Sequence, residues 1–553
     1  MTHRPPAGRA TNRASRPSQR QRTDAPSLDA VVVGAGFAGL YMLHRLRMLG
    51  FSARVYEAAS GVGGTWFWNR YPGARCDVES VDYSYSFSPE LEQEWTWTER
   101  YATQPEILAY LNFVADRLDL RRDIRFDTGI ESARFDDALG RWELVTDAGD
   151  VVSASFCVMA TGCLSATKLP ETEGVESFAG PTLHTGRWPH RSVDFAGQRV
   201  GVIGTGSSAV QALPHIARQA AHLVVFQRTP NFCVPAWNHP LEPEYVAEVK
   251  ADYPARRELC RLSFAGFPVP LGEETAQAAT EVERAERYAA KWQEGGLGFL
   301  GSYGDLLIDQ ASNDSASDFL RQKIRERVHD PATAALLSPT DYPCGTKRLC
   351  VDIDYYETFN RSNVTLVDLR STPIERITPN AVVTTADTYE LDVLVFATGF
   401  DAMTGALSQI AISGVGGQTL AEKWRDGPRS YLGLAPAGFP NLFLITGPGS
   451  PSVLSNMVVF IEQHVDWIAD CMAHLRAHQL GRVEATEEAE EAWVSMVAQL
   501  ADFTLFPKAN SWYVGANVDG KPRVFMPFVG GVHTYRQYCD QVVEGGYVGF
   551  TLT

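Results

Sequence analysis

No stretch of this 553-residue chain comes near the ~18 consecutive apolar residues needed to cross a bilayer. Gly, His or Arg interrupts even the greasiest segments, which excludes a membrane-spanning protein. Cysteine is scarce and scattered: nine residues, an odd total, with no CxxC pair. That rules out a disulfide framework and suits the reduced thiols of a cytoplasmic protein. Positive charge is also short. Lys and Arg number 49 against 66 Asp and Glu, a formal net charge of -17, and such a surface repels nucleic acid and anionic membranes. The expected partners are small molecules, for a chain acting as a monomer or weak homo-oligomer, and no metal is expected.

What is present is ordinary globular material, 45% apolar and 21% charged, in a chain too long for one hydrophobic core. The first residues are the exception. From Met1 to about Ser27, Arg4, Arg9, Arg13, Arg16, Arg20 and Arg22 alternate with Pro, Ser and Thr. This composition reads as a disordered tail, with an organelle transit peptide as the alternative.

Order is expected from the apolar run Ala30–Val33, which leads into Gly34-Ala35-Gly36-Phe37-Ala38-Gly39. A stretch with Leu40, Leu43 and Leu46 on one helical face follows and stops near Gly50. Next comes a strand, Ser52–Glu57, ending in an acid. This strand–turn–helix–strand context makes the GxGxxG a dinucleotide cradle. Gly34 allows the tight turn, Gly36 admits a pyrophosphate to the backbone, and Gly39 lets the helix pack on its strand. The helix N-terminus offers free N–H groups to phosphate, and Glu57 stands where a carboxylate accepts from an adenosine ribose.

A second cradle starts at Arg199–Ile203 and continues as Gly204-Thr205-Gly206-Ser207-Ser208-Ala209. Its second strand, Leu223–Phe226, ends in Gln227-Arg228-Thr229 without an acid. Glu57 would repel a 2′-phosphate and Arg228 would pair with one, so the first site is expected to hold FAD and the second NADPH. Two apolar strands ending in Ala-Thr-Gly, Cys157–Gly162 and Leu394–Gly399, bracket the second cradle. They are read as the points where the chain leaves one domain and returns to it. Runs such as Glu281–Arg287 read as helical. The expected fold is α/β, with two Rossmann-like dinucleotide-binding domains, the NADPH domain inserted into the FAD domain, and a helical insertion. The segments are a tail over 1–27, FAD-binding 28–157, NADPH-binding 158–236, a helical insertion over 237–337, NADPH-binding 338–393, and FAD-binding with a C-terminal segment over 394–553.

Two such cofactors pass hydride from nicotinamide to flavin. A disulfide reductase would need a cysteine pair after the first cradle, where only Cys76 stands. O2 is the remaining acceptor. The segment Phe178-Ala179-Gly180-Pro181-Thr182-Leu183-His184-Thr185-Gly186-Arg187-Trp188-Pro189 resembles the FxGxxxHxxxW(P/D) signature of type I Baeyer–Villiger monooxygenases. Gly63–Trp66, Trp68–Asp77, Lys347-Arg348, Gly399-Phe400-Asp401 and Ser511–Asn517 extend that resemblance over roughly Asp29 to Thr553. It is closest to the phenylacetone and steroid monooxygenase branch, with Asp519 a small departure.

The resemblance implies that NADPH and O2 act through a C4a-peroxyflavin to insert one oxygen beside a ketone carbonyl, giving an ester or lactone. Arg348 is implied as the cation that stabilises the anionic oxygens, and Asp77 as its orienting carboxylate. Thr65, Trp66, Trp68, Asp77, Val78 and Tyr83 are implied flavin contacts, and Met457 lies beside flavin and substrate. Lys347 joins Arg228 and Thr229 at the 2′-phosphate, and Trp512 donates its indole N–H to NADP+. Each has a plainer reading: a solvated Lys-Arg pair, a helix cap at Asp77, core tryptophans. His184 is read as architectural, joining the domains, rather than as a base. Cys163, Leu164 and the loop Pro448–Leu454 are expected as pocket walls, and the small Cys163 and Val453 suggest an aryl, cyclic or steroid-like ketone. The alternatives are a flavin-containing N- or S-oxygenating monooxygenase and a non-catalytic redox-sensing flavoprotein.

Overall fold

The computed structural model describes residues 27–553. The expected tail therefore lies outside the described residues, save Ser27, which opens the first strand. That strand, β1 (Ser27–Val33), is fully buried from Ala30 to Val33, so an uninterrupted apolar run forms the centre of a sheet covered on both faces. It feeds α1 (Phe37–Met48), whose Leu40, Leu43 and Leu46 are fully buried. Gly50 stops the helix at φ +75°, where a side chain would be strained. Then follow β2 (Ala53–Tyr56), the short helix α2 (Thr65–Trp68), β3 (Ile124–Arg125), β4 (Ile130–Asp136), β5 (Arg141–Thr146) and β6 (Val151–Met159).

The chain next builds a second sheet from β7 (Thr182–His184), β8 (Arg199–Ile203), α3 (Ser207–Gln219) and β9 (His222–Gln227). After β10 (Cys233–Pro235), the elements within 237–337 are helical: α4 (Pro243–Ala251), α5 (Tyr253–Leu262), α6 (Glu281–Glu294), a 3-10 turn, α7 (Gln310–Arg327) and α8 (Pro331–Leu337). Thr280 starts α6 with a capping box, its hydroxyl accepting from Glu283 N while the Glu283 carboxylate accepts from Thr280 N. The strands resume with β11 (Cys350–Asp352), β12 (Val364–Asp368), a meander of β13 (Ile374–Thr378), β14 (Ala381–Thr384) and β15 (Thr388–Glu390), and β16 (Val393–Phe396). The chain then returns to the first sheet with β17 (Ala411–Ser413) and β18 (Leu442–Leu444). Helix α9 (Met457–Ala477) packs along α1, and α10 (Val532–Glu544) packs on α9.

The first sheet runs β17-β4-β5-β6-β1-β2-β3, with β18 also on β6, and the second runs β12-β9-β8-β16-β7 with all pairs parallel. The second sheet is thus inserted into the chain of the first, as the α/β reading required. The boundaries move, however. The sequence reading ended the first segment at 157 and began the last at 394, whereas β6 keeps residues 158 and 159 in the first sheet and β16 lies in the second, between β8 and β7. The two Ala-Thr-Gly strands do bracket the insertion, but the second belongs to the inserted sheet and not to the first. Each is the parallel neighbour of its own cradle strand, β6 beside β1 and β16 beside β8, so they occupy equivalent places in two similar units.

Candidate active site

The equivalence is visible at the glycines. Gly34 has φ +106°, and a methyl group there would stand 2.5 Å from the Ala160 carbonyl oxygen; Gly204 has φ +110° and would meet the Ala397 carbonyl at 2.4 Å. Both first glycines are therefore required by the backbone of the neighbouring Ala-Thr-Gly segment. A methyl group on Gly39 would lie 1.8 Å from the Gly34 carbonyl oxygen, which is the close helix–strand approach expected there. At Gly206 nothing lies within 4 Å, leaving the space a pyrophosphate needs over the N-terminus of α3.

Around the first cradle, buried Glu57 accepts from the backbone N–H groups of Ala35 (2.6 Å) and Ala59 (2.8 Å). Burial raises its pKa and those two bonds oppose the rise. Around the second, Thr205 donates to the Thr229 carbonyl (2.8 Å) and Ser208 to the Thr185 hydroxyl (3.0 Å), fixing the turn that carries Arg228. Arg228 is exposed and forms no ion pair among the described residues. Burial lowers the pKa of Lys347; the Asp341 carboxylate opposes that shift, and Arg228 and Arg370 add to it. Arg370 is paired with Asp341 (3.6 Å) and Asp368 (3.7 Å), which leaves Lys347 and Arg228 as the cations without an ion pair among the described residues. Arg370 went unnoticed in the sequence, where a loop arginine carries no signal. Glu57 at one cradle and Arg228 with Lys347 at the other are the donor and charge pattern that fits FAD at the first and NADPH at the second.

Arg348 belongs to neither cradle. Its Nε and Nη2 donate to Asp77 Oδ2 (2.9 Å) and Oδ1 (2.7 Å), and its Nη1 donates to the Val453 carbonyl (3.0 Å). Burial works against the guanidinium charge, but the Asp77 carboxylate more than offsets it and raises the pKa. One cation thus ties together three distant chain segments in a fixed fork geometry. The helix-cap reading of Asp77 and the solvated-pair reading of Arg348 both fail on this geometry. The Val453 contact was not legible, because a backbone acceptor is the same for every residue. Buried Tyr513 stands within electrostatic reach of Arg348; burial pushes its pKa up to about 12 even though the cation opposes the shift. Cys163, Leu164, Met403, Val453, Leu454, Met457, Trp512 and Tyr513 share one apolar cluster, so the expected pocket walls do converge. Ser452, at the heart of that loop, holds a strained φ of +42°.

The aromatics divide. Trp66 is a core residue that also donates its indole N–H to the Tyr83 hydroxyl (3.2 Å), with Val78 buried in the same cluster. Trp68 is tied to the signature segment: Trp188 N donates to its carbonyl (3.2 Å) and the Arg187 guanidinium lies 6.0 Å from its ring. Thr65 opens α2 directly after Gly63 and Gly64, both at positive φ. Trp512 packs against Tyr513 with ring centroids 4.2 Å apart and the planes tilted by 52°, and its indole N–H has no acceptor among the described residues. The loop presenting it is clamped to Phe400–Ala402, where Asn517 Nδ2 donates to the Phe400 carbonyl (2.7 Å) and Lys521 pairs with Asp401.

His184 accepts at Nδ1 from Gly186 N (2.9 Å), which puts its proton on Nε2 facing the Lys168 carbonyl (3.2 Å). Burial lowers its pKa. Both nitrogens are thus occupied by backbone, which leaves none for a base and supports the architectural reading. Cys76 has no cysteine partner, and burial pushes its thiol well up. The sequence did miss one juxtaposition: β10 and β11 set Cys233 opposite Cys350. The Cys350 thiol donates to the Arg348 carbonyl (3.7 Å) and lies 3.4 Å from the Ser207 hydroxyl.

A profile of the pyridine nucleotide-disulphide oxidoreductases matches residues 31–253, the span of both cradles. A Baeyer–Villiger monooxygenase of Pseudooceanicola batsensis is 43% identical over 96% of this chain and 97% of its own. A phenazine N-monooxygenase of Lysobacter antibioticus is 44% identical over 96% and 98%. The structure of an oxidised steroid monooxygenase bound to NADP superposes with a TM-score of 0.91 at 55% identity, covering 95% of this chain and 99% of that one. Fold and site define a two-cradle flavoprotein monooxygenase. The chain belongs to the Baeyer–Villiger monooxygenases, enzymes that use FAD and NADPH to place one atom of O2 beside a ketone carbonyl.

Proposed function

We propose that this enzyme oxygenates a bulky cyclic, aryl or steroid-like ketone at the cluster around Arg348, Val453 and Trp512. The observation that carries the reading is the three-point seat of Arg348 on Asp77 and the Val453 carbonyl. Bound FAD, reduced by NADPH, supplies the electrons that activate O2. The chain's own residues supply charge and placement. Arg348 stabilises negative charge on the attacking oxygen and on the carbonyl oxygen as it becomes an oxyanion. Asp77 holds the guanidinium in orientation. Arg228, Thr229 and Lys347 seat the 2′-phosphate, and Trp512, with its free indole N–H, holds the nicotinamide cofactor in place. Small side chains at Cys163 and Val453 leave room for a large substrate, in keeping with the 55% identity to a steroid monooxygenase. Nine unpaired cysteines suit a cytoplasmic location, and no helix among the described residues is long and apolar enough to cross a membrane.

A second reading, oxygenation of a ring nitrogen, draws on the 44% identity to a phenazine N-monooxygenase. The test is NADPH consumption by FAD-loaded protein with phenylacetone, a steroid ketone or phenazine, with products weighed by mass spectrometry. An ester or lactone heavier than the ketone by one oxygen supports the first reading. Oxygen transfer to phenazine alone replaces it with the second.

A further inference from the structure

A cavity of about 440 Å³ opens between α1, the Ser86–Phe87 segment, α5, α9 and α10, and none of its lining residues belongs to the Arg348 cluster. Its volume falls within the range of small-molecule sites, and its lining is crowded with charge. Most of that charge is already paired. Arg45 bridges Asp466 (3.0 Å) and Asp470 (2.8 Å), and the Tyr41 hydroxyl donates to Asp466 (2.7 Å). Arg257 pairs with Glu92 (2.7 Å) and Arg261 with Glu258 (3.1 Å). Glu462 accepts from Ser86 N (2.6 Å), Phe87 N (3.1 Å) and the Ser86 hydroxyl.

Arg45 is ion-paired although its Nε lacks a hydrogen-bond acceptor, and the side chains of two further residues have neither an ion pair nor a hydrogen bond among the described residues. Gln463 is 6% exposed, and neither its amide nitrogen nor its amide oxygen has a partner. Arg536 forms no ion pair among the described residues, and its Nε–H, shielded from solvent, has no acceptor. Unpartnered buried polar groups are rare in folded proteins because each forfeits its hydration without replacement. Both of these line the same cavity.

The open valences specify a ligand. Among the described residues Arg536 has no carboxylate in ion-pair contact, and a guanidinium fork prefers one. The Gln463 amide offers donors on its nitrogen and an acceptor on its oxygen, and a hydroxyl group can accept from the one while donating to the other. We propose that this cavity is an accessory binding site for a small hydroxycarboxylate, its carboxylate on Arg536 and its hydroxyl on Gln463. Asp466 on the lining and Asp540, one turn along α10, lie within electrostatic reach of Arg536, but neither forms an ion pair with it, and Asp466 is already held by Arg45 and Tyr41. The site also touches the FAD machinery through its walls. Tyr41 and Arg45 belong to the helix that starts at the first cradle, and Gln463 to the helix that starts at Met457.

The experiment is isothermal titration calorimetry on the full-length, FAD-loaded, NADP+-saturated protein, with 6-hydroxyhexanoate as probe and hexanoate and 1,6-hexanediol as comparisons. We expect saturable one-site binding of the hydroxyacid, weaker binding of hexanoate and none of the diol. Gln463→Leu and Arg536→Met should each weaken binding tenfold or more while leaving ketone turnover without the ligand unchanged. Should Arg536→Met fail to fold, Gln463→Glu keeps the size, sets an anion in the site and should abolish binding. Absence of saturable binding, binding unchanged in these variants, or diol binding as tight as the acid overturns the proposal.

Discussion

Replacing Arg348 with Ala removes the fork that joins Asp77 and Val453, and its consequences separate into two measurable parts. A preorganised donor of this kind contributes about 3–4 kcal/mol to the transition state, so ester formation should fall by roughly two to three orders of magnitude. Hydride transfer does not require the charge, so NADPH should still be consumed, now releasing hydrogen peroxide. The second part is stability. Loss of the cation strands the Asp77 carboxylate, and breaking a buried pair costs about 3–5 kcal/mol. Both side chains here keep about a quarter of their exposure, which lowers the expected loss to roughly 1–3 kcal/mol. The double variant Asp77→Ala/Arg348→Ala removes the stranded charge and should recover most of that stability but none of the ester formation. Urea denaturation of the four proteins in the cycle, with gas chromatography of ester and a peroxide assay, reads both parts. Ester formation within threefold of the parent in Arg348→Ala would refute the assignment of the oxyanion-stabilising charge to this residue.

The two glycines of the second cradle should respond in opposite ways. Gly206→Ala meets nothing within 4 Å and should leave the melting temperature unchanged while weakening NADPH binding tenfold or more. Gly204→Ala, at φ +110° and against the Ala397 carbonyl, should instead destabilise the fold by about 2 kcal/mol or more. Arg228→Ala should raise KM for NADPH about 10- to 100-fold, as expected for a charge-assisted bond of about 1.5–3 kcal/mol, and leave KM for NADH alone; equal effects on both coenzymes would remove Arg228 from the 2′-phosphate. His464 is fully buried, accepts at Nδ1 from Thr446 N (3.1 Å) and faces the Tyr535 hydroxyl through Nε2 (2.8 Å), and burial lowers its pKa to about 3. The unfolded chain binds the proton first, so stability should fall by about 1.4 kcal/mol per pH unit as pH drops below about 6.5. His464→Gln should flatten that slope in urea titrations between pH 7 and 5.

The cradles were legible because their requirements are local and steric. Gly34, Gly36 and Gly39 stand at a fixed spacing in one turn, even though the backbone that requires Gly34 comes from Ala160, and the polarity that separates Glu57 from Arg228 sits at the end of the adjoining strand. What was lost is what depends on distant chain. The Leu394–Gly399 strand resembles Cys157–Gly162 so closely that the pair read as one domain's two edges; only strand pairing assigns one to each sheet. Arg348 was found by resemblance, and no local pattern marks it. Its third contact, a backbone carbonyl, leaves no trace in side-chain identity. Arg370, the Cys233–Cys350 pair and the unpartnered Gln463 share that property, since each becomes notable only when another segment arrives or fails to arrive beside it.

The doubled cradle also clarifies why the reactive centre is not built from either copy. At the third glycine position the copies diverge: a methyl group at Gly39 would collide with the Gly34 carbonyl, while Ala209 is carried without exposure in the other. The second cradle thus has room for a methyl group at the position where the first has none. Each cradle is specialised to hold phosphate at the end of its own sheet, and such a seat has no spare charge for a reaction intermediate. In the proposed reading a separate cation serves both units, and Arg348 has the place in the chain to do so. It precedes β11 within the inserted segment, its carbonyl accepts from Cys350 beside the N-terminal Ser207 of α3, and its guanidinium is anchored on Asp77 and Val453 of the first unit. A shift of the second unit against the first must move or break that anchor, so under the proposed role of Arg348 the charge at the reacting oxygen would depend on how the nicotinamide cofactor's unit is seated.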